Sequence, residues 1–433
     1  MFNVVKVLFK SNKIHKLQLT NKFNELLFAL LNILFGKLSS GAKTKELEEA
    51  FRLRFGAKKA LIFPHARIAL HFILKSMNFE KGSEILMAPL TIADMVNSIH
   101  TLGLKPVFVD IESDTFCIDP QKLKDAITEK SRAILVTYLF GVVPDIDKIK
   151  RIADEYGLKI IEDCSQCFDA SYNGKKIGTF GDVAFFSLTN FKVCSSLFGG
   201  MIITNNETLA DSLVKLRSTD LLPPRKRMLI KLAVKDLIYA VFFSRWVFSY
   251  FTFFLVFVLE HIDPRITYRL YSGNIKVLLG GFENKLYEKF PDDYLTQYTD
   301  IQARVGLKSL ERAEYVTSAR IRNGERLRRL FEAIPSIRIP AITKSAINVY
   351  WRFPVVTEDI KGLKKFLLLH GIDSSASYLT LCSSEPGFEI YHTSMPKAEI
   401  VKNCTLIVEV NESLSEKDID FTALLARSYF ENN

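Results

Sequence analysis

At 433 residues, 48% hydrophobic and 24% charged, the chain has the length for two domains and the apolar mass for a substantial core, which excludes a disordered protein. Lys and Arg number 58 against 48 Asp and Glu, a formal charge of +10, and the basic residues flank Phe-rich stretches; an anionic membrane surface is the expected partner, and nucleic acid is not. Six cysteines without dense regular spacing point to reduced thiols and not to a disulfide framework.

The first residues carry scattered lysines, Lys6, Lys10, Lys13 and Lys16, with no small-residue cleavage site after a compact apolar core, so a signal peptide is not expected and the cytoplasmic side is. Residues 23–36, FNELLFALLNILFG, repeat apolar positions at helical spacing around a single charge, Glu25. A charged helix, KTKELEEAFRLRF, follows. Short apolar runs then alternate with amphipathic stretches: Lys59 to Pro64, Glu84 to Ala88, Lys105 to Val109, Ala133 to Tyr138, Lys159 to Glu162 and Val183 to Ser187. That alternation predicts a mostly parallel sheet flanked by helices, an α/β fold that binds ligands beyond the carboxyl ends of its strands.

After Arg217 the pattern changes. A basic turn, Pro223-Pro224-Arg225-Lys226-Arg227, leads into MLIKLAVKDLIYAVFFSRWVFSYFTFFLVFVLE, in which residues 246–259 carry no charge. Fourteen residues are too few to span a bilayer, which takes about 20. An in-plane or re-entrant helix is expected over 228–259, with Trp246 and Tyr250 near the headgroups and the cytoplasmic face of the membrane as its location; a buried helix or a dimer interface is the alternative. Past Lys289 ordinary soluble patterning returns, with a long charged helix from about Asp300 to Glu332 and then short strands and helices. The expected divisions are an apolar and basic helical segment over 1–37, a large α/β domain over 38–220, the Phe-rich insert over 221–290 and a smaller α+β domain over 291–433.

Two places carry chemistry. The buried strand beginning at Lys159 leads to the carboxylate of Asp163, which suits a metal ligand, a helix cap or a partner for a cationic ring nitrogen. Cys164 and Cys167 form a lone CxxC with no second pair or His cluster, so packing behind a strand end is expected there and bound metal is not. About twenty residues on, the loop LTNFKVCSSLFGG places Lys192 between a strand end and Gly199-Gly200. A lysine so placed can present its amine inward and form a Schiff base once desolvation lowers its pKa; taken alone, a solvated surface charge is the alternative.

The segments HARIAL at 65–70, PVFVD at 106–110, YLFGVVPDID, IIEDCSQCFDA, YNGKKIGTFGD, FFSLTNFK and the GG pair together resemble, in order, the DegT/StrS family of sugar aminotransferases dependent on pyridoxal 5′-phosphate. Weaker likeness runs through DIQARVGLKSLE at 300–311, HGIDSSASY at 370–378 and MPKAEIVKN at 395–403. The resemblance implies a fold-type-I aminotransferase acting as a homodimer. It implies that Lys192 links to the cofactor as a Schiff base and then moves the proton. Asp163 would pair with the pyridine nitrogen and Gln166 would contact the ring's phenolate oxygen. Ser187, with the backbone of Ala66 and Arg67 at a helix N-terminus, would hold the phosphate. Arg67, where the family has Thr, would add a guanidinium contact.

Three departures qualify this. Ile92 stands where the family has an aromatic residue stacked on the ring, Tyr138 where it has a His, and Leu295 where it has the partner subunit's phosphate-binding Asn, for which Thr296 or Gln297 would substitute. Lys192 itself argues against the family's dehydratase branch, which has a histidine there. The expected activity is transfer of an amino group, from glutamate, to a nucleotide-linked or lipid-linked keto sugar for polysaccharide, glycolipid or secondary-metabolite synthesis. The alternatives are a membrane-associated scaffold on the same fold without turnover, or another reaction of the same cofactor such as dehydration.

Overall fold

Seven strands make the central sheet in a computed structural model that describes residues 13–15, 19–262, 284–376 and 380–432. In chain order they are β1 (Lys59–Phe63), β2 (Glu84–Met87), β3 (Lys105–Phe108), β4 (Ser131–Thr137), β5 (Lys159–Asp163), β6 (Val183–Ser187) and β7 (Gly200–Thr204). Their spatial order is β1-β7-β6-β5-β4-β2-β3. Only β7 runs against its neighbours; the pairs β6–β5, β5–β4, β4–β2 and β2–β3 are parallel. The expected α/β architecture is therefore present, with every strand of the sequence reading in it. Lys6, Lys10, Lys16 and the last two positions of 370–378 lie outside the described residues, as does 263–283 of the insert.

Strand residues alternate between two apolar layers, as the two-residue period of a strand requires. Leu61, Phe63, Ala133, Leu135, Ile161, Val183, Phe185 and Ile202 face one layer. Ala60, Ile62, Ile134, Val136, Ile160, Ala184, Phe186, Met201 and Ile203 face the other. Full burial of each large member contributes about 1.5–3 kcal/mol. The first layer runs on without a break into a smaller antiparallel sheet formed by β8 (Phe353–Val356), β9 (Ser375–Ala376) and β10 (Thr405–Val408), with β10 in the middle.

The helices that matter for the site are α1 (Phe23–Phe35), α2 (Ala42–Phe55), α3 (Ala66–Met77), α4 (Ala93–His100) and α5 (Lys226–Phe242). Helix α1 buries Leu26, Ala29 and Ile33 against Leu229 and Ala233 of α5 and against Phe198, so the apolar segment of the N-terminal region and the insert share one small core. After a bend of 61° the insert continues as Arg245–Val247, a π-helical turn over Phe248–Thr252 and then Phe253–Ile262. No single described helix is long and apolar enough to cross a membrane. The long helix expected from about Asp300 to Glu332 is two helices, Asp300–Glu311 and Ala313–Phe331. The break falls at Arg312, whose guanidinium turns back to the Glu25 carboxylate at 2.6 and 2.8 Å, a contact invisible to periodicity.

Candidate active site

Strand register assembles the site. Phe63 at the end of β1, Gly200 at the start of β7 and Ser187 at the end of β6 are directly opposite one another, and Asp163 ends β5 beside Phe185. Asp163 and Ser187 have the parity of Ile161 and Phe185, so both point to the layer in which α3 packs. The N-terminus of α3 begins just after β1, at Ala66, and its first-turn amides are free of the helix's own bonding. The close approach of β7 to that turn needs glycine: a Cβ on Gly200 would lie 2.4 to 2.6 Å from the His65 carbonyl and the Ala66 nitrogen.

Lys192 sits in the loop between β6 and β7. Burial lowers its amine from the ordinary 10.5 to about 7; the Asp163 carboxylate works against that shift, and the Arg352 and Arg320 guanidinia work with it. Asp163, 5% exposed, is itself pushed above the usual aspartate range by burial, while the Ser165 hydroxyl and N–H and the charge of Lys192 oppose the shift. The Ser165 N–H donates to Asp163 Oδ1 at 3.0 Å. The amine and the carboxylate, both buried, thus act on each other electrostatically, the arrangement of an acid and base tuned by their surroundings.

Around this pair the other residues take distinct positions. Gln166 Oε1 accepts the Phe140 N–H at 2.8 Å, which fixes its amide beside the strand ends. Ser187 Oγ lies 3.0 Å from the Thr189 hydroxyl. The guanidinium of Arg67 is paired with the Asp94 carboxylate and donates to the Tyr294 hydroxyl at 3.3 Å, so its charge is already partnered and its backbone N–H is what it offers at the helix start. Ile92 is the residue before α4 and is 44% exposed. Tyr138 points to the opposite layer, where its hydroxyl donates to Glu162 Oε2 at 2.6 Å. Leu295 gives its carbonyl to the Leu222 N–H at 2.8 Å, while Thr296 Oγ1 and Gln297 Nε2 reach the carbonyls of Asp293 and Leu221 in their own chain.

Sequence reading missed Trp351. Its ring centroid is 3.6 Å from Lys192 Nζ, and its Nε1–H donates to the Phe191 carbonyl at 2.8 Å. Phe191 has φ of +67°, in the left-handed region that costs a non-glycine residue about 1–2 kcal/mol. The only available signal was that Trp351 is one of just two tryptophans and stands next to Arg352.

The residues fit a phosphorylated, aldehyde-bearing cationic heterocycle: an amine of lowered pKa, a buried carboxylate in electrostatic reach of it, and a hydroxyl on the strand beside a helix N-terminus with open amides. Residues 21–232 and 284–423, well over half of the chain, match the description of the DegT/DnrJ/EryC1/StrS aminotransferase family. The chain belongs to that family.

This aminotransferase is an enzyme whose cofactor is pyridoxal 5′-phosphate. It is 36% identical over 188 residues to the GDP-perosamine synthase of Caulobacter vibrioides, a stretch covering 43% of this chain and 51% of that protein, about half its length. Among solved structures, the sugar aminotransferase CalS13 from Micromonospora echinospora superposes with a TM-score of 0.73 at 20% identity over 96% of this chain and 99% of that one. Helicobacter pylori PseC, an aminotransferase of pseudoaminic acid biosynthesis, gives a TM-score of 0.73 at 19% identity over 98% of this chain and all of that chain, 100%. At such identities the structural matches establish the fold, and they confirm it as that of fold-type-I aminotransferases.

Proposed function

We propose that this aminotransferase takes an amino group from an amino acid, glutamate, and delivers it to a keto sugar carried on a nucleotide or a lipid, with Lys192 as acid and base in both halves. The observation that carries the reading is the Lys192 side chain, held against the Trp351 ring and within electrostatic reach of the buried Asp163 carboxylate that ends β5; burial lowers its amine to about 7. Perosamine synthase and sugar aminotransferase relatives support a sugar acceptor.

When bound, pyridoxal 5′-phosphate supplies an electron sink for the carbon that loses its proton. Lys192 Nζ, near its midpoint at neutral pH, both takes and returns that proton. Asp163 holds a positive charge at the ring nitrogen, and Gln166 orients the phenolate side. Ser187 and the amides of Ala66 and Arg67 hold the phosphate. Ile92 offers aliphatic packing to the ring face. The homodimer is part of the same proposal.

Contact with the membrane completes it. One face of α5 is fastened to the protein by Leu229, Ala233 and Asp236, so the helix lies along the surface, as an in-plane segment does. Trp246 at 73% and Phe251 at 72% exposure, with Phe254 and Leu255, project from the next helical pieces, near the exposed Phe-rich face of the insert.

The test is to mix purified protein with pyridoxal 5′-phosphate and glutamate and then offer nucleotide-linked and lipid-linked keto sugars. A visible absorbance lost in Lys192→Ala, and glutamate-dependent amination of one sugar class, are expected. Cofactor that binds but never responds to any amino donor would point instead to a scaffold without turnover.

A further inference from the structure

The loop that presents Lys192 is gripped by the insert. Asp236 lies on α5 and is 0% exposed, a rare place for a carboxylate on a helix that is otherwise largely apolar. It is turned inward, and its Oδ1 accepts the Asn190 side-chain amide, two residues before Lys192. Lys235 Nζ stands 3.8 Å from the same oxygen. One turn further along α5, the Tyr239 ring packs 6.1 Å from Phe191. Asn190 is itself only 8% exposed. On the other side of the loop, Trp351 donates to the Phe191 carbonyl, and the Thr20 hydroxyl donates to the Lys192 carbonyl at 2.6 Å.

The segment 190–192 is therefore held from the insert, from the smaller sheet's side and from the N-terminal region together. Phe191 keeps its left-handed φ only because its surroundings fix it. A buried carboxylate is a costly way to make an ordinary packing contact, since an apolar residue at that position would bury without desolvating a charge. What the carboxylate adds is a directed bond to a side chain two residues before Lys192.

We propose that Asp236 is a positioning residue: from the insert helix it fixes Asn190 and thereby the conformation in which the loop presents Lys192 to the cofactor. The insert is then part of the catalytic apparatus as well as a surface element. Burial pushes the Asp236 carboxyl up to about 6, opposed by Lys235 and the bond from Asn190, which fits a group kept in place against its desolvation cost.

This proposal rests on the reading of Lys192 as the cofactor-binding lysine. It is tested with the full-length chain by following capture of pyridoxal 5′-phosphate through its visible absorbance, together with amide hydrogen exchange over 189–195. Asp236→Ala should slow capture about tenfold, the effect of losing one hydrogen bond to a charged acceptor, and speed exchange over 189–195 while leaving β1 to β7 protected. Asn190→Ala, which removes the same contact from the other side, should do the same, and the double variant should be no worse than either single one. Asp236→Asn, whose amide oxygen still accepts from Asn190, should recover most of the capture rate. Normal capture and unchanged loop exchange in both alanine variants, whatever happens to thermal stability, would overturn the proposal alone. Failure of the unaltered protein to capture the cofactor would overturn the reading of Lys192 beneath it.

Discussion

The indole ring of Trp351 lies against the Lys192 amine, 3.6 Å from Nζ to the ring centroid, and the Arg352 guanidinium lies 5.1 Å from the same ring. The ring thus contacts two cationic groups, which still repel each other enough for Arg352 to help lower the Lys192 amine, while its Nε1–H donates to the Phe191 carbonyl. Trp351→Phe keeps the aromatic face and loses the hydrogen bond. It should retain the cofactor's visible absorbance and lower turnover by no more than about tenfold, whereas Trp351→Ala should lose more, since ring and bond go together. Equal losses in both variants, measured by steady-state kinetics, would show that the ring itself contributes nothing.

Lys192 gives a pH dependence of fixed sign. Its amine is at about 7 when folded and near 10.5 when unfolded, so between those values the unfolded chain binds more protons and stability rises with pH. The penalty is present in full below the lower value. Cofactor-free Lys192→Met should therefore be the more stable protein at pH 7 and below, by up to about 5 kcal/mol, with the gap closing as the pH approaches 10.5. Thermal melts across that range read it directly.

Asp163→Asn keeps the shape of the side chain and removes the charge that faces Lys192. Cofactor capture should persist while turnover falls about 100-fold or more, the scale of losing a fixed electrostatic partner. Single-turnover measurements with glutamate separate the two.

Gly200 is packed against the turn that starts α3, and a methyl group there meets backbone at 2.4 to 2.6 Å. Gly200→Ala should destabilise the fold by about 1–3 kcal/mol and weaken phosphate binding at Ala66 and Arg67. Urea midpoints and cofactor titration are the measurements.

The membrane proposal turns on exposed side chains that take no part in the fold's core. Replacing Trp246, Phe251 and Phe254 together by Glu should abolish sedimentation with anionic liposomes and leave the melting temperature nearly unchanged. Unaltered sedimentation would refute contact through this surface.

Much of the architecture was legible because it rests on local rules. Each short apolar run became a strand of the sheet with small end shifts, and strand parity alone sends Asp163 and Ser187 to one face and Glu162 and Tyr138 toward the other. For the same reason Tyr138, at the aligned position of a histidine, turns to Glu162 on the far layer. Periodicity ran one helix through Arg312 because no residue there breaks a helix; the break falls where the Arg312 guanidinium pairs with Glu25, nearly three hundred positions away.

By itself the sequence determined the alternation of strands and helices, the order of motifs that marks the family, and the presence of a lysine and an aspartate at successive strand ends, all of which depend on near neighbours in the chain. Only the tertiary structure decided what surrounds them. The lowered amine of Lys192, the Asp94 carboxylate that partners Arg67, the Trp351 ring and the Asp236 bond to Asn190 each join residues separated by 27 or more positions. Burial and charge act through space, and a linear pattern carries no record of which distant side chain will fill it.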